Sequence, residues 1–296
     1  MKISTLTTRD YARRLMSEGY PSLAQLSHQY FSAHQSQSEA RQARLNRFLT
    51  YLGRLIRLEA GSKMLVVGCG PHPQTVRTLK QTGYDAVGIE PVGSFVTEAR
   101  NYLGHFDGVL EGSAEHLPVP DGSQQLIFME SVLEHVDSPL DSLKEMLRAL
   151  QPGGVLYVQT TNRLSIREAL SLGEFNVRFF NWLPALVKES YIFQHLHYDP
   201  SLANFTERPA VHFFSYGELS SLGRLAGFSQ MYSLLDLMRM GDDSVQKSAL
   251  RRNALQQVQT NPWLRAMALS QFGDSILMVK RGQPYVSIQP PQASNS

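Results

Sequence analysis

The chain has 296 residues, 42% of them hydrophobic, and a formal net charge of +2, so it can bury a large core as one domain or two. Those values exclude disorder, collagen and coiled coil, and the near-neutral balance provides no global field to draw the chain onto nucleic acid or anionic lipid. Cys69 is the single cysteine, the first fourteen residues lack an apolar signal core, and apolar runs such as Met64 to Val67 fall far below the roughly 20 residues of a membrane span. No disulfide, zinc cluster or transmembrane segment is expected, and a reducing cytoplasm is the expected location.

Thr7 to Met16 and Ser22 to Phe31 carry short helical patterns, and apolar residues from Leu45 to Ile56 recur at helical spacing, so residues 1–60 are expected to form an amino-terminal helical cap. From Lys63 the pattern changes to short apolar runs separated by helix-length segments. The predicted strands are Met64 to Val67, Ala86 to Glu90, Gly108 to Leu110, Gln125 to Met129 and Val155 to Thr160. Ser138 can cap a helix with Pro139 in its first turn and a stripe of Leu140, Leu143, Leu147 and Leu150, stopped by Gln151-Pro152-Gly153-Gly154. After Thr161 the alternation lapses for about fifty residues. It resumes with a helix over Tyr216 to Ala226, a strand over Phe228 to Leu237, a helical stretch from about Asp243 to Leu269, and a strand over Ser275 to Val279. Residues 282–296, rich in proline, serine and glutamine, are expected to be a flexible tail.

The turn Val67-Gly68-Cys69-Gly70 follows directly on a buried strand, where backbone without side chains lets a ligand approach closely. Twenty residues beyond Gly70, Glu90 stands at the tip of the second strand, where a carboxylate can accept both hydroxyl protons of a ribose. Together they point to an adenosine ligand at the sheet's carboxyl edge. A dinucleotide fingerprint would place glycine where this chain has Pro73, which removes an N–H and resists close helix packing, and that argues against a nicotinamide cofactor. A plain strand-to-helix turn and a solvated strand end are the bland readings of the glycines and of Glu90. Cys69 reads as a small packing residue.

Val67-Gly68-Cys69-Gly70, Gly88-Ile89-Glu90, Gly112-Ser113-Ala114-Glu115-His116-Leu117-Pro118 with Pro120-Asp121-Gly122-Ser123, Val132-Leu133-Glu134-His135-Val136 and Leu150-Gln151-Pro152-Gly153-Gly154 resemble, in order and spacing, the motifs of class I S-adenosylmethionine-dependent methyltransferases. The resemblance is to the small-molecule branch that includes quinone-biosynthesis enzymes, and it covers about residues 61–162. It implies an α/β, Rossmann-like, seven-stranded mostly parallel sheet with an antiparallel last strand and helices on both faces. It also implies S-adenosyl-L-methionine as cofactor, with Gly68 and Gly70 at its methionine end, Glu90 at its ribose, and Ala114 with Glu115 at its adenine edge. The family's acid in the first strand is Val66 here, the glycine two past Gly70 is His72, the acid before Ala114 is Ser113, and the aspartate after the serine-containing turn is Gln125. These departures keep a non-catalytic cofactor- or partner-binding protein of the same fold open as an alternative.

In such a reaction the protein must mainly hold an acceptor lone pair about 3 to 3.5 Å from the methyl carbon and in line with the breaking bond. His135, after the fourth strand, is the candidate catalytic residue: a neutral imidazole can take a hydroxyl proton as the methyl arrives. The bland reading is that it packs or caps this loop, and Glu134 reads as a loop hydrogen-bonding residue.

Eleven of the 28 aromatic residues fall between 163 and 216, among them Phe179, Phe180, Trp182, Tyr191, Phe213 and Phe214. This insertion, about 163–214 within a methyltransferase domain spanning 61–281, can be a lid over an aromatic acceptor site or an addition with its own small core. A third reading has Phe179, Phe180, Trp182 and Leu183 dock on a membrane surface to reach a lipid-linked acceptor. His195, His197 and His212 lack an acidic or cysteine companion at metal-ligand spacing, so no metal site is assigned. Arg41, Arg44, Arg47, Arg54 and Arg57 read as a solvated helix face, and Tyr11, Tyr20 and Tyr30 can close the acceptor site from the other side. The expected activity is methyl transfer to a small organic acceptor, most simply an oxygen of an aromatic, quinone-like or natural-product metabolite. An RNA methyltransferase is the remaining alternative, disfavoured by the charge balance.

Overall fold

Period-two alternation in the strands decides the architecture. In a computed structural model of the chain, which describes residues 45–282 apart from 47, 105, 171–177, 192–209, 211, 243–244 and 246–247, Leu65, Val67, Ile127, Met129, Leu156 and Val158 point to one face of the sheet and Met64, Val66, Leu126, Phe128, Val155 and Tyr157 to the other. Both sets are buried, which requires cover on both sides. The helix candidates at 7–16 and 22–31, the three amino-terminal tyrosines, Arg41, Arg44, Arg47, His195, His197 and the tail from 283 lie outside the described residues.

The strands are β1 (Lys63–Val67), β2 (Asp85–Glu90), β3 (Val109–Glu111), β4 (Gln124–Glu130), β5 (Leu150–Gln159), β6 (Gln230–Tyr232) and β7 (Ser275–Val279). They form one sheet in the order β3-β2-β1-β4-β5-β7-β6. β1 to β5 pair in parallel, and β7 runs antiparallel to both β5 and β6. This is the expected Rossmann-like α/β fold with its antiparallel last strand. The helices are α1 (Gln74–Gln81), α2 (Gly93–Leu103), α3 (Pro139–Ala149), α4 (Ile166–Leu170), α5 (Ala185–Tyr191), α6 (Tyr216–Ala226), α7 (Leu234–Leu237), α8 (Ala249–Thr260) and α9 (Pro262–Phe272).

One face packs on α3, through Leu143 and Met146, and on α6, through Leu219 and Ala226. The other packs on α1 and on residues 45–56, whose Leu45, Phe48, Leu52, Leu55 and Ile56 join the core beneath Met64, Phe128 and Tyr157. The described part of the expected cap is therefore part of the sheet's own core. The caps follow the sequence: Ser138 accepts from the Asp141 N–H with Pro139 in the first turn of α3, and Ser215 and Glu218 form a reciprocal capping box on α6.

Three expectations change. The run Phe228 to Leu237 is the short strand β6 followed by α7, because Ser233 and Asp236 form a second capping box and turn the chain out of the sheet. The Gln151–Gly154 segment does not merely stop α3. It opens β5: Gly153 N–H and Gly154 C=O pair with Lys280 beyond the end of β7, and on the other side the pairing with β4 shifts register between Gln124 and Leu126. Arg54 is not a solvated side chain: it pairs with Asp242 and donates to the Leu237 carbonyl, tying the first helical residues to the chain after α7. No helix among the described residues is long and apolar enough to cross a membrane.

Candidate active site

Strand order locates the site before any side chain is considered. The chain leaves β1 for β2 and β3 on one side and returns to β4 on the other, so the connections after β1 and β4 diverge and leave a crevice between their carboxyl ends. The loop after β1 is Gly68-Cys69-Gly70. The loop after β4 is Ser131-Val132-Leu133-Glu134-His135.

Both glycines are left-handed, at φ +67° each. A Cβ on Gly68 would also overlap Val132 Cγ2, so the two loops meet backbone against side chain at the bottom of the crevice. The Ile89 carbonyl accepts from Gly68 N–H at 2.8 Å and Cys69 N–H at 3.1 Å, holding the loop against β2. Cys69 packs with Val96, Ala99 and Val109, and burial raises its thiol pKa, with the Glu90 charge adding to the rise, so it is a packing residue and not a nucleophile.

Glu90 is buried at the end of β2, with one carboxylate oxygen accepting from Gly70 N–H at 3.0 Å and the other from Val92 N–H at 3.2 Å. Sequence reasoning gave this acid a ribose to hold and missed that it also fixes the glycine loop. The two duties are compatible, because a carboxylate presents about four lone-pair sites. Next along the edge, Gly112 N–H donates to the Glu90 carbonyl at 3.1 Å and Ala114 is buried. Glu115 Oε1 accepts from Asp137 N–H at 2.9 Å, so its carboxylate ties the loop after β3 to the loop after β4.

The departures from the motif pattern now have positions. Val66 is core. His72 is drawn away to α2, with Nε2 3.1 Å from Glu98 Oε1 and the ring edge-on to Tyr102 at 5.4 Å. Gln125 donates to the Arg57 carbonyl at the start of β4, the opposite end of the strand from the crevice.

Beyond β4, Ser131 is a non-glycine residue at φ 53° whose N–H donates to the Gln159 carbonyl. Strain of this kind at a strand end marks a site held in a demanding shape. Glu134 is 2% exposed and accepts from Thr160 Oγ1 at 2.9 Å. Burial pushes its carboxyl up to about 7, against hydrogen bonds from its own backbone, Thr160 and Thr161. His135 is buried beside it, in the turn closed by its N–H to the Val132 carbonyl. His212 donates its backbone N–H to the Glu134 carbonyl at 3.2 Å, and its ring stacks on Phe214. The segment 212–214 thereby closes over the loop carrying His135, and the sequence gave no sign of this contact. Asn162 and Asn181 were missed as well: Asn181 Nδ2 reaches the carbonyls of Asn162, Arg163 and Ser165, pinning the turn around Asn181 to the start of the insertion.

Acceptors at the tip of β2, backbone without side chains after β1 and a buried histidine after β4 define the class: an open α/β sheet with a crevice at its switch point. Residues 65–158 match a family model described as a methyltransferase domain. The chain is 28% identical over 130 residues to a probable S-adenosylmethionine-dependent methyltransferase of Mycolicibacterium smegmatis, covering 43% of this chain and 50% of that protein. It is 32% identical over 105 residues to a tRNA U34 carboxymethyltransferase of Methylococcus capsulatus, covering 34% and 32%. It is 27% identical over 187 residues to a demethylmenaquinone methyltransferase of Geobacillus stearothermophilus, covering 59% and 74%. The match thus spans half of the first relative's length and about a third of the second's.

Proposed function

We propose that the chain transfers a methyl group from S-adenosyl-L-methionine to a small organic acceptor, most simply at an oxygen. The observation that supports this best is the switch-point crevice, in which the left-handed Gly68 meets Val132, the left-handed Gly70 donates to Glu90, and that buried carboxylate at the tip of β2 ties down the glycine loop. The residues suit an adenosine: the Glu90 carboxylate can accept from hydroxyls, and the turn at Ser113 and Ala114 offers backbone to a base. When bound, the cofactor supplies a methyl on a sulfonium leaving group.

The chain's own part is positioning. Gly68 and Gly70 admit the amino-acid end, Glu90 fixes the sugar, and Ala114 with Glu115 borders the base. The loop Ser131–His135, braced by Gln159, Thr160 and Glu115, sets where an acceptor can stand, and holding reactants in one geometry can supply most of such a rate. His135 takes the acceptor's proton as the new bond forms, in a setting shielded from water. The relatives' names include a tRNA and a quinone precursor as substrates, so the acceptor class is argued from this chain: a net charge of +2 and an aromatic insertion beside the crevice favour a small, apolar-bodied acceptor over RNA.

His135→Ala is expected to lower turnover by about 10²-fold while leaving cofactor affinity within about twofold, a split typical of a lost general base. The measurement is release of S-adenosylhomocysteine with simple phenols as probe acceptors, alongside a cofactor titration. Equal turnover in the variant reduces His135 to a packing residue.

A further inference from the structure

The insertion holds a cation that neither the fold nor the proposed chemistry uses. Lys188, on α5, is 1% exposed, and its ammonium stands 4.0 Å from the centroid of the Phe213 ring. Among the described residues no carboxylate pairs with it. Glu218 is engaged by Arg163 at 2.6 Å and by the cap of α6, and Arg163 is a like charge. Burial takes the ammonium down to about 7, Arg163 adding to the fall and Glu218 opposing it. A methionine of similar length would fill the space without the cost of burying a charge, so an unmatched lysine here is a poor stabilising device.

Its neighbours connect it to the loop after β4. Phe213 is flanked by His212, bonded to the Glu134 carbonyl, and by Phe214, which pairs with Asn162 at the end of β5. Lys188 therefore sits over a ring one residue removed from the contact with the loop that carries His135. Phe180 meets the same ring at 6.1 Å, so the cation is set in an aromatic wall.

We propose that Lys188 receives a carboxylate of the methyl acceptor, whose apolar body lies on Phe213 and Phe180, so that the substrate is a small, flat carboxylic acid. This rests on the methyl-transfer reading above. One lysine matches the single charge of a carboxylate, whereas a phosphate dianion calls for more donors than the described wall offers. An arriving carboxylate supplies a counter-charge that none of the described residues places against Lys188, and the gain is large because the site is already dry.

The test uses the full chain with ¹³C-labelled lysine at about pH 6, where the ammonium is charged, and benzoate as probe. Benzoate is expected to shift the Lys188 signal saturably and to raise its titration midpoint by about one unit or more, while benzamide and inorganic phosphate do neither. Lys188→Met and Lys188→Gln are expected to lose the benzoate response, read in both variants as weakening of benzoate binding by tenfold or more. No saturable shift, an equal response to benzamide, tighter binding of phosphate, or undiminished benzoate binding in both variants overturns the proposal. S-adenosylhomocysteine is titrated into the same samples. Its binding without a benzoate response overturns the role of Lys188 alone. Its failure to bind overturns the methyl-transfer reading and the acceptor role together, even if benzoate binds.

Discussion

Gly68→Ala is expected to destabilise the chain by about 2 to 4 kcal/mol and to remove measurable binding of S-adenosylhomocysteine. Two costs add at this position. The left-handed backbone at φ +67° costs an L-residue about 1 to 2 kcal/mol, and the new methyl overlaps Val132 Cγ2, which forces a side chain or the loop to move. Val132 is β-branched and cannot swing clear without leaving its rotamer. The loop after β1 must then shift away from the loop after β4, and the hydrogen bonds from Gly68 and Cys69 to Ile89 and from Gly70 to Glu90 shift with it. The control is Gly68→Ala combined with Val132→Ala, which removes the overlap and keeps the backbone cost. Urea unfolding of the four chains should show the double variant recovering more than about 1 kcal/mol relative to additivity. Strict additivity would mean that the two loops do not meet as described.

Glu134→Gln is expected to flatten the dependence of stability on pH between about 5 and 7 and to make the variant more stable than the parent at pH 8. Burial raises this carboxyl to about 7 in the folded chain, so folding takes up a proton across that window. The stability the group contributes is complete below its ordinary value of 4.5, falls as pH rises, and is lost above about 7. A shift of this size corresponds to about 3 kcal/mol at most. Glutamine keeps an acceptor for Thr160 Oγ1 and has no charge to bury. Lys188 has the opposite sign and another window: its depressed value means that the destabilisation is complete below about 7 and is relieved as pH rises toward its ordinary 10.5. Urea midpoints at pH 5 and pH 8 separate the two. Parallel curves for the parent and Glu134→Gln between those values would show that Glu134 is not buried as a carboxyl with a raised pKa.

Much of the fold was legible because two periods are written plainly. Ser275 to Val279 and Tyr216 to Ala226 begin and end where the sequence predicts, the one a fully buried apolar run and the other marked by Ser215 before it and Gly227 after it. The strand expected over Phe228 to Leu237 failed because a β-competent apolar run hid a four-residue capping signal, Ser233 to Asp236, that wins locally. Gln151–Gly154 read as a stop because proline and glycine end helices. It became the start of β5 because the Lys280 backbone pairs with Gly153 and Gly154 and its ammonium donates to the Leu150 carbonyl, 130 residues away in sequence.

At the site, Gly68, Gly70 and Glu90 were legible as a turn and an acid, while their mutual bond was not, since no spacing rule says which N–H a carboxylate takes. Glu115 was assigned to the adenine edge and is found holding Asp137 N–H. His72, which stands where the family has glycine, turns to Glu98 and Tyr102 on α2, a pairing set by tertiary packing and by nothing local in the sequence. Lys188 gave no signal at all. A lysine within an amphipathic helix reads as solvated, and only the tertiary packing of Phe213 buries it.

The central claim is that the switch-point crevice grips the nucleoside of S-adenosylmethionine through Glu90. Calorimetric titration of the full chain with S-adenosylhomocysteine tests it most directly, comparing the parent with Glu90→Gln. The expected result is saturable one-to-one binding that weakens by more than about tenfold, or ~1.4 kcal/mol, when the carboxylate is replaced by its neutral isostere. Absence of binding to the parent, or equal affinity in the variant, would contradict the account.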